Sequence, residues 1–462
     1  MILYLQTRWK LQGKKLVYYG LRQKHNMFKN IKLNFKTAKL LVNGFINMPL
    51  KGQIKKLYKN GTLVEKENVK KIPASFSEAK FCIKCAMNDF MVPGVEFSKE
   101  GLCPVCTAKF NKKLVSILPV VKDIPKSKKS KYDVAVFYTG GKDSTFLLYY
   151  LSMVKKLRVL ALTWHIPFMS DTALESIKNA KTLFSDVDFI IEKIEDDGLA
   201  KVYKKLMILQ NNPCACPSLA YFLFYKLLIK EKIPFLILGN EPAQMKNLYY
   251  NKMAPKIAYK ASQSRFFNFL ISIPRILTFR RPFKRGQFHM MSVVKQLAFG
   301  KSKLKDIAGY KNQLVDDVCI ALKEAPELIK EFKQTVKKSI RKGTMPALVH
   351  IDFNEISDGR IYNWNKVKEL LKIKTGWSPK NSKGLHTSCK IERVKEYSQF
   401  KKFYDMESTL IPFSAMELSI AVGEGSIARE QAIEELKNYS GFNLKKPDEY
   451  KYIDEYFEKC NC

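Results

Sequence analysis

The sequence predicts an α/β protein built on an open parallel sheet with helices on both faces, preceded by a small cysteine-rich ribbon and followed by a mostly helical C-terminal part. Three observations carry this. Apolar, β-rich runs alternate with stretches of helical periodicity between residues 131 and 245, the pattern of βαβ units whose strands lie parallel. The first of these runs ends in a pair of glycines that opens directly onto a helix. Upstream, two Cys-x-x-Cys pairs stand seventeen residues apart, a spacing that lets four sulfurs face one ion.

The first run reads Asp133-Val-Ala-Val-Phe-Tyr-Thr139-Gly140-Gly141-Lys142-Asp143-Ser144. Residues 134–138 form an apolar strand, the glycines permit positive φ and close backbone approach, and Ser144-Thr-Phe-Leu-Leu-Tyr-Tyr-Leu151 continues with helical spacing. A strand that feeds a helix N-terminus through glycines presents free N–H groups and the positive end of the helix dipole to an anion. Lys142 adds a full charge and Ser144 a hydroxyl donor, so phosphate is the expected ligand. The spacing of glycines and lysine excludes the Gly-x-x-x-x-Gly-Lys-Ser/Thr loop of common nucleotide hydrolases.

Further strands are expected at residues 157–165, 187–191 and 233–239, with helices at 171–184 (Asp171 as N-cap), 197–209 and 218–230. In an open parallel sheet the ligand lies beyond the carboxyl ends of the strands, at the switch point. Three turns are therefore expected around one cleft: Thr139 to Ser144, the turn of Thr163 and His165, and Gly239-Asn240-Glu241.

Around this core the chain divides into a basic N-terminal extension (1–75), the ribbon (76–120), the nucleotide-binding α/β domain (131–245), a basic helical insertion (246–345) and a C-terminal part that completes the active site (346–462). A length of 462 residues accommodates several domains with a core of their own. The formal charge of +38 predicts attraction to polyanions such as nucleic acid, acidic lipid or nucleotides; a general lysine bias accounts for it equally well, since most lysines are scattered. The ten cysteines fall largely in close pairs, which argues for metal or redox chemistry in a reducing compartment and against a disulfide framework. No secretory signal and no apolar run of membrane-spanning length is evident, so a cytoplasmic protein is expected.

Cys82, Cys85, Cys103 and Cys106 fit a four-thiolate zinc ribbon. Four thiolates leave the ion no open position, so its task is structural. A second group, Cys214-Ala-Cys216 between prolines and Cys389 in Thr387-Ser-Cys389-Lys390, has two readings: small residues in loops, or a metal cluster or sulfur relay. At a helix start Cys214 and Cys216 are expected to have lowered pKa values.

The insertion mixes Arg265, Arg275, Arg280, Arg281, Lys284 and Arg285 with Phe266, Phe267, Phe283 and Phe288. Such a mixture suits a polyphosphate or RNA surface, and equally an insertion that packs its phenylalanines inward and leaves its charges in water. Residues 314–338 have ordinary amphipathic spacing. In the C-terminal part, His386 and Glu355 are acid–base candidates that compete with a structural role, and Ser426 is the expected cap of the last long helix.

The Thr139-Gly-Gly-Lys-Asp-Ser144 loop resembles the Ser-Gly-Gly-x-Asp-Ser signature of the PP-loop ATP pyrophosphatase superfamily, with Thr139 in place of the first serine. The resemblance implies an adenine nucleotide alpha hydrolase-like (HUP) fold that binds ATP and Mg²⁺, with catalytic roles for Lys142, Asp143 and Ser144. Thr139, Gly140, Gly141, Lys142, Asp143, Ser144, Thr163, Gly239, Asn240 and Glu241 would hold the nucleotide, Thr163 near adenine or ribose and the Gly239 turn near the phosphates or Mg²⁺. The order of ribbon (Phe97, Gly101-Leu-Cys103), loop, Leu238-Gly-Asn-Glu241 and Ser426-Ile-Ala-Arg-Glu-Gln-Ala-Ile433 further resembles the N-acetyl sugar amidotransferases of surface polysaccharide (lipopolysaccharide) biosynthesis. That family implies adenylation of an acetamido oxygen of a nucleotide-linked sugar and replacement by ammonia, with release of AMP and pyrophosphate. Ammonia would come from a separate glutaminase subunit or from solution, since no glutaminase Cys/His/Glu set is evident. Cys214, Cys216 and Cys389 with Gly376-Trp377 also resemble a second branch, the tRNA thiolation enzymes with a three-cysteine iron–sulfur site, although Cys-x-Cys stands where Cys-x-x-Cys is usual. A third reading is a non-catalytic RNA-binding protein.

Overall fold

The N-terminal residues fold around their apolar minority. Strands β1 (Ile2–Leu5), β5 (Phe45–Asn47) and β6 (Leu63–Val64) form one antiparallel sheet in the order β5-β1-β6, and β2 (Trp9–Gln12), β3 (Lys15–Tyr18) and β4 (Asn30–Lys32) form another. Leu3, Trp9, Leu16, Tyr18, Ile46, Ile54, Leu57 and Leu63 pack between them and the helices Phe35–Leu40 and Gly52–Lys59. The lysine-rich stretch thus supplies a core of its own. The buried Arg8 is satisfied by carbonyls of Tyr19, Tyr404 and Phe403, and its burial lowers its pKa to about 10.

The computed structural model describes residues 2–23, 30–47, 49–107, 116–216, 218–251, 253, 256–300, 313–377 and 388–460. They divide into two units: Met1–Phe110 with Glu396–Gly423 and Ala428–Lys446, and Asn111–Lys395 with Glu424–Ile427 and Pro447–Cys462.

The second unit holds a five-stranded parallel sheet of order β11-β10-β7-β8-β9, where β7 is Val134–Phe137, β8 Val159–Trp164, β9 Val187–Glu192, β10 Phe235–Leu238 and β11 Ala347–Val349. β7 and β8 are buried at every residue, as expected of central strands covered by helices on both faces. The chain runs from β7 outward to β9, then crosses to β10 and β11 on the other side. The switch point therefore lies between β7 and β10. The helices Lys142–Tyr149, Asp171–Leu183, Asp196–Gln210 and Ser218–Lys230 connect the strands. Ser170 caps the second of these by accepting from Ala173 N at 3.1 Å, so the N-cap is one residue earlier than the expected Asp171.

β11 is too short to announce itself in the sequence. It pairs with β10 from Phe235↔Ala347 to Ile237↔Val349, and Leu348 N donates to Gly286 O at 3.1 Å, which covers the edge. The amphipathic stretch that precedes it is broken into Gln313–Ala321 and Pro326–Lys342, with the break at Ala325 (φ −132°, ψ 69°), which the following Pro326 disfavours in helical backbone. The helix Arg429–Ser440 begins after Ala428 with no side-chain cap. Ser426, the expected cap, is instead buried, with its carbonyl accepting from Trp364 N at 2.9 Å. Among the described residues no helix is long and apolar enough to cross a membrane.

Candidate active site

The diglycine loop bends where the sequence requires it. Gly140 has φ +74°, and a Cβ there would lie 3.0 Å from Ala173 O; Ser176 Oγ donates to Gly140 O at 2.6 Å. The helix Lys142–Tyr149 starts at Gly141 without any side-chain cap, so its first N–H groups remain available to an anion. Ser144 Oγ lies 3.0 Å from Gly141 O and 3.4 Å from Thr139 Oγ1. Across the switch point Gly239 packs on the loop: a Cβ at Gly239 would sit 2.9 Å from Ser144 Cα and 3.2 Å from Ser144 N. Only glycine lets β10 end this close to the loop.

Two aromatic residues absent from the sequence-level site cover Lys142. Its ammonium donates to the Tyr362 hydroxyl at 2.9 Å, pairs with Asp143, and lies 5.1 Å from the Trp364 ring centroid. Tyr362 in turn donates to Asp143 Oδ1, and Trp364 Nε1 donates to the buried Glu241 at 2.6 Å. Burial first, then the charges of Asp143 and Glu241, push the Tyr362 phenol well above its ordinary value, so it stays a donor. The Lys142 and Asp143 side chains remain 14% and 22% exposed, within reach of a ligand.

Asn240 Nδ2 donates to Gln244 Oε1 at 3.1 Å, and its carbonyl lies 3.2 Å from His350 Nε2. His350 is buried with its Nδ1 unpartnered, and burial lowers its pKa to about 4 despite that hydrogen bond. Thr163 Oγ1 donates to Tyr138 O at 2.8 Å. Beyond it Thr163, His165, Met169, Ile177, Lys178 and Ile191 line a cavity of about 250 Å³, wide enough for a flat heterocycle. The structure thus packs the Gly239 turn against the loop, with the Thr163 cavity at the adjoining strand. Glu355 is exposed, and His386 lies outside the described residues.

The second cysteine group also converges. A bridge between Met169 and Cys389, with Ser170 N to Ser388 O at 3.1 Å and Lys390 N to Phe168 O at 2.8 Å, ties Cys389 to the loop after β8. Cys214 is held by its N–H to Asn212 Oδ1 at 3.0 Å and by Gln210 Nε2 to its carbonyl at 2.7 Å. Cys214, Cys216 and Cys389 then line one cavity with Ile166, Phe168 and Lys395. The lowering of thiol pKa expected at the helix start is not found for Cys216, whose thiol is pushed up by removal from water and then by neighbouring Cys214 and Cys389; Cys389, in a different loop, is pushed up by removal from water and then by Glu392. Cys216 is exposed as a residue and also lines this cavity. Apolar surroundings outweigh a helix dipole here.

In the first unit the four ribbon cysteines gather with all four sulfurs within 4.8 Å of one another. Backbone N–H groups of Lys84 and Cys103 point at Cys82 Sγ, and that of Met87 at Cys85 Sγ. Arg429, from the segment that resembles the amidotransferases, donates to Cys82 O at 2.8 Å. Soft donors converging with N–H support fit a tetrahedral ion.

No family model matches the chain, and no curated protein matches it. Twelve chains of solved structures match. One is the U34-tRNA thiolase NcsA from Methanococcus maripaludis with its 4Fe–4S cluster, 16% identical over 65% of this chain and 99% of that one, with a TM-score of 0.24.

Proposed function

We propose that this chain is an ATP-dependent PP-loop enzyme that replaces an oxygen of a tRNA base by sulfur, with Cys214, Cys216 and Cys389 as the sulfur-handling site. The observation that carries this reading is the meeting of those three cysteines, 175 positions apart at their extremes (Cys214 to Cys389), around one cavity in the unit that holds the diglycine loop.

The loop N–H groups, Lys142 and Ser144 would hold the nucleotide's phosphates, and the cavity beyond Thr163 would take the base. The acceptor's carbonyl oxygen attacks the α-phosphorus, pyrophosphate leaves, and sulfide then displaces AMP. Lys142 and the helix N-terminus stabilise charge on the departing pyrophosphate, with Mg²⁺ as the expected counter-ion. Cys214, Cys216 and Cys389, beside Ile166 and Phe168, would hold an iron–sulfur cluster that would supply the sulfur chemistry, with the Lys395–Glu392 ion pair at 2.7 Å next to them. The zinc assigned to the ribbon would be structural. The net charge of +38 suits a tRNA partner. The sugar amidotransferase reading, with its nucleotide sugar and glutaminase subunit, leaves the three converging cysteines without a task.

The test is incubation of anaerobically reconstituted protein with ATP, sulfide and unmodified tRNA. AMP, pyrophosphate and a thiolated nucleoside are expected, and Cys389→Ala should abolish the thiolated product together with brown colour and labile sulfide. Turnover only with an N-acetylated nucleotide sugar and ammonia would establish the amidotransferase instead. ADP and phosphate as products would exclude PP-loop chemistry altogether.

A further inference from the structure

The helix Arg265–Ile276 is turned inside out. Its polar side chains face the protein: Asn268 Nδ2 donates to Phe283 O at 3.0 Å, Ser272 Oγ accepts from Phe283 N at 3.1 Å, and Arg275 donates to Arg281 O at 2.7 Å and Ile340 O at 2.8 Å. Ser272 and Arg275 are buried. Much of its apolar surface faces outward: Phe266 is 69% exposed, Phe269 55%, Leu270 42%, and beyond the helix end Leu277 is 73% and Phe279 fully exposed, while Phe267, Ile271 and Ile273 are half-buried. Of the phenylalanines expected to pack inward, Phe283 is buried and Phe266 is not, while Arg275, expected in water, lies within. An amphipathic helix on a protein surface ordinarily buries its apolar stripe. Here the polar stripe carries the specific hydrogen bonds, so the outward direction of the apolar stripe is set by the fold and is not a product of loose packing.

The surroundings state what should cover this face. Arg265 stands at one end and Arg280, Arg281 and Lys284 at the other, all exposed, and no Asp or Glu occurs between Glu241 and Asp306. Leu270, Ile276 and Leu277 offer no π face on which a nucleobase could stack. A helix of 12 residues is too short to span a bilayer, while an apolar face flanked by cations is the form of a helix lying in the membrane interface.

We propose that this face docks on an anionic lipid surface, with Phe266, Phe269, Leu270, Leu277 and Phe279 among the upper acyl chains and the flanking arginines at headgroup phosphates. The inference stands independently of the thiolation reading. The docking free energy comes from apolar burial plus attraction of the basic residues to acidic headgroups, and the second part weakens with salt.

Flotation of the full chain with vesicles tests it. The protein should float with phosphatidylglycerol/phosphatidylcholine vesicles and remain behind with pure phosphatidylcholine. Phe269→Ser with Leu277→Ser should weaken partitioning by about tenfold or more, and Arg280→Gln with Arg281→Gln should remove most of its salt dependence. In the otherwise unaltered chain, Phe279→Trp should gain fluorescence that brominated acyl chains quench. Absence of flotation with anionic vesicles, or an indole introduced at position 279 that brominated chains leave unquenched, overturns the proposal. So does a result in which the Phe269→Ser, Leu277→Ser pair only dissociates a dimer or only releases tRNA.

Discussion

Lys142 donates to the hydroxyl of Tyr362 at 2.9 Å, a contact between residues 220 positions apart. It closes a chain in which Tyr362 also donates to Asp143, Trp364 lies over the ammonium, and Glu241 accepts from the Trp364 indole. The charged groups expected to meet the nucleotide are thereby oriented by a segment that carries no recognisable motif. Hydrogen bonds to charged groups contribute about 1.5–3 kcal/mol. Tyr362→Phe, which keeps the ring and loses the hydroxyl, should therefore lower kcat for ATP cleavage by roughly tenfold or more, with a smaller change in KM for ATP. Equal loss from Tyr362→Phe and from an alanine at the same position would confirm that the hydroxyl, and not the ring, is responsible; an unchanged kcat in Tyr362→Phe would remove Tyr362 from the positioning role.

Gly239 makes a second, steric prediction. A Cβ placed 2.9 Å from Ser144 Cα has backbone for a neighbour, which cannot swing aside. Gly239→Ala should displace the phosphate loop, at a cost of about 1–3 kcal/mol in stability, and weaken ATP binding beyond what the fall in melting temperature accounts for. Isothermal titration with a non-hydrolysable ATP analogue, beside thermal unfolding, separates the two effects.

The four ribbon cysteines predict one tightly held ion per chain, found by elemental analysis as zinc. Binding of an ion to such a site supplies on the order of 10 kcal/mol of folding free energy. Chelation under mildly denaturing conditions, or Cys103→Ser, should make residues 76–107 sensitive to protease while the parallel sheet of the other unit resists.

His350 predicts how stability responds to acid. Burial lowers its folded pKa to about 4 from an ordinary 6.5. Between those values the unfolded chain binds the proton and the folded chain does not, so stability falls as pH drops from about 6.5 to about 4 and is unaffected by this group above that range. The contribution approaches about 3 kcal/mol at the low end. Urea unfolding at several pH values should show a shallower decline in His350→Gln than in the parent; an identical slope would mean that His350 is not held neutral by its surroundings.

Much of this was legible in the sequence because it is encoded locally. The diglycine bend and its flanking strand and helix lie within a dozen consecutive residues, and the ribbon is a matter of spacing, so neither needs knowledge of distant chain. Alternation of apolar runs and helical periods announced every strand of the five-stranded sheet except β11. The three-residue β11 carries too little periodicity to be seen, and its place in the sheet comes from pairing with β10. Capping at Ser170 in place of Asp171 is a one-residue choice between two good caps, decided by backbone conformation. The Cys216 thiol went the other way because desolvation depends on what distant segments, among them that of Cys389, place around it.

By itself, then, the sequence determined a parallel α/β sheet with a diglycine loop between its first strand and helix, and a four-cysteine group, since covalent spacing and short-range sterics suffice for both. The tertiary structure alone decided that Tyr362 and Trp364 cap Lys142, that Cys389 joins Cys214 and Cys216, and that the helix Arg265–Ile276 shows its apolar face to water. A hydrophobic period reveals that a helix has two faces. Which face turns inward depends on partners such as Phe283 and Ile340 that the chain brings up only when it folds.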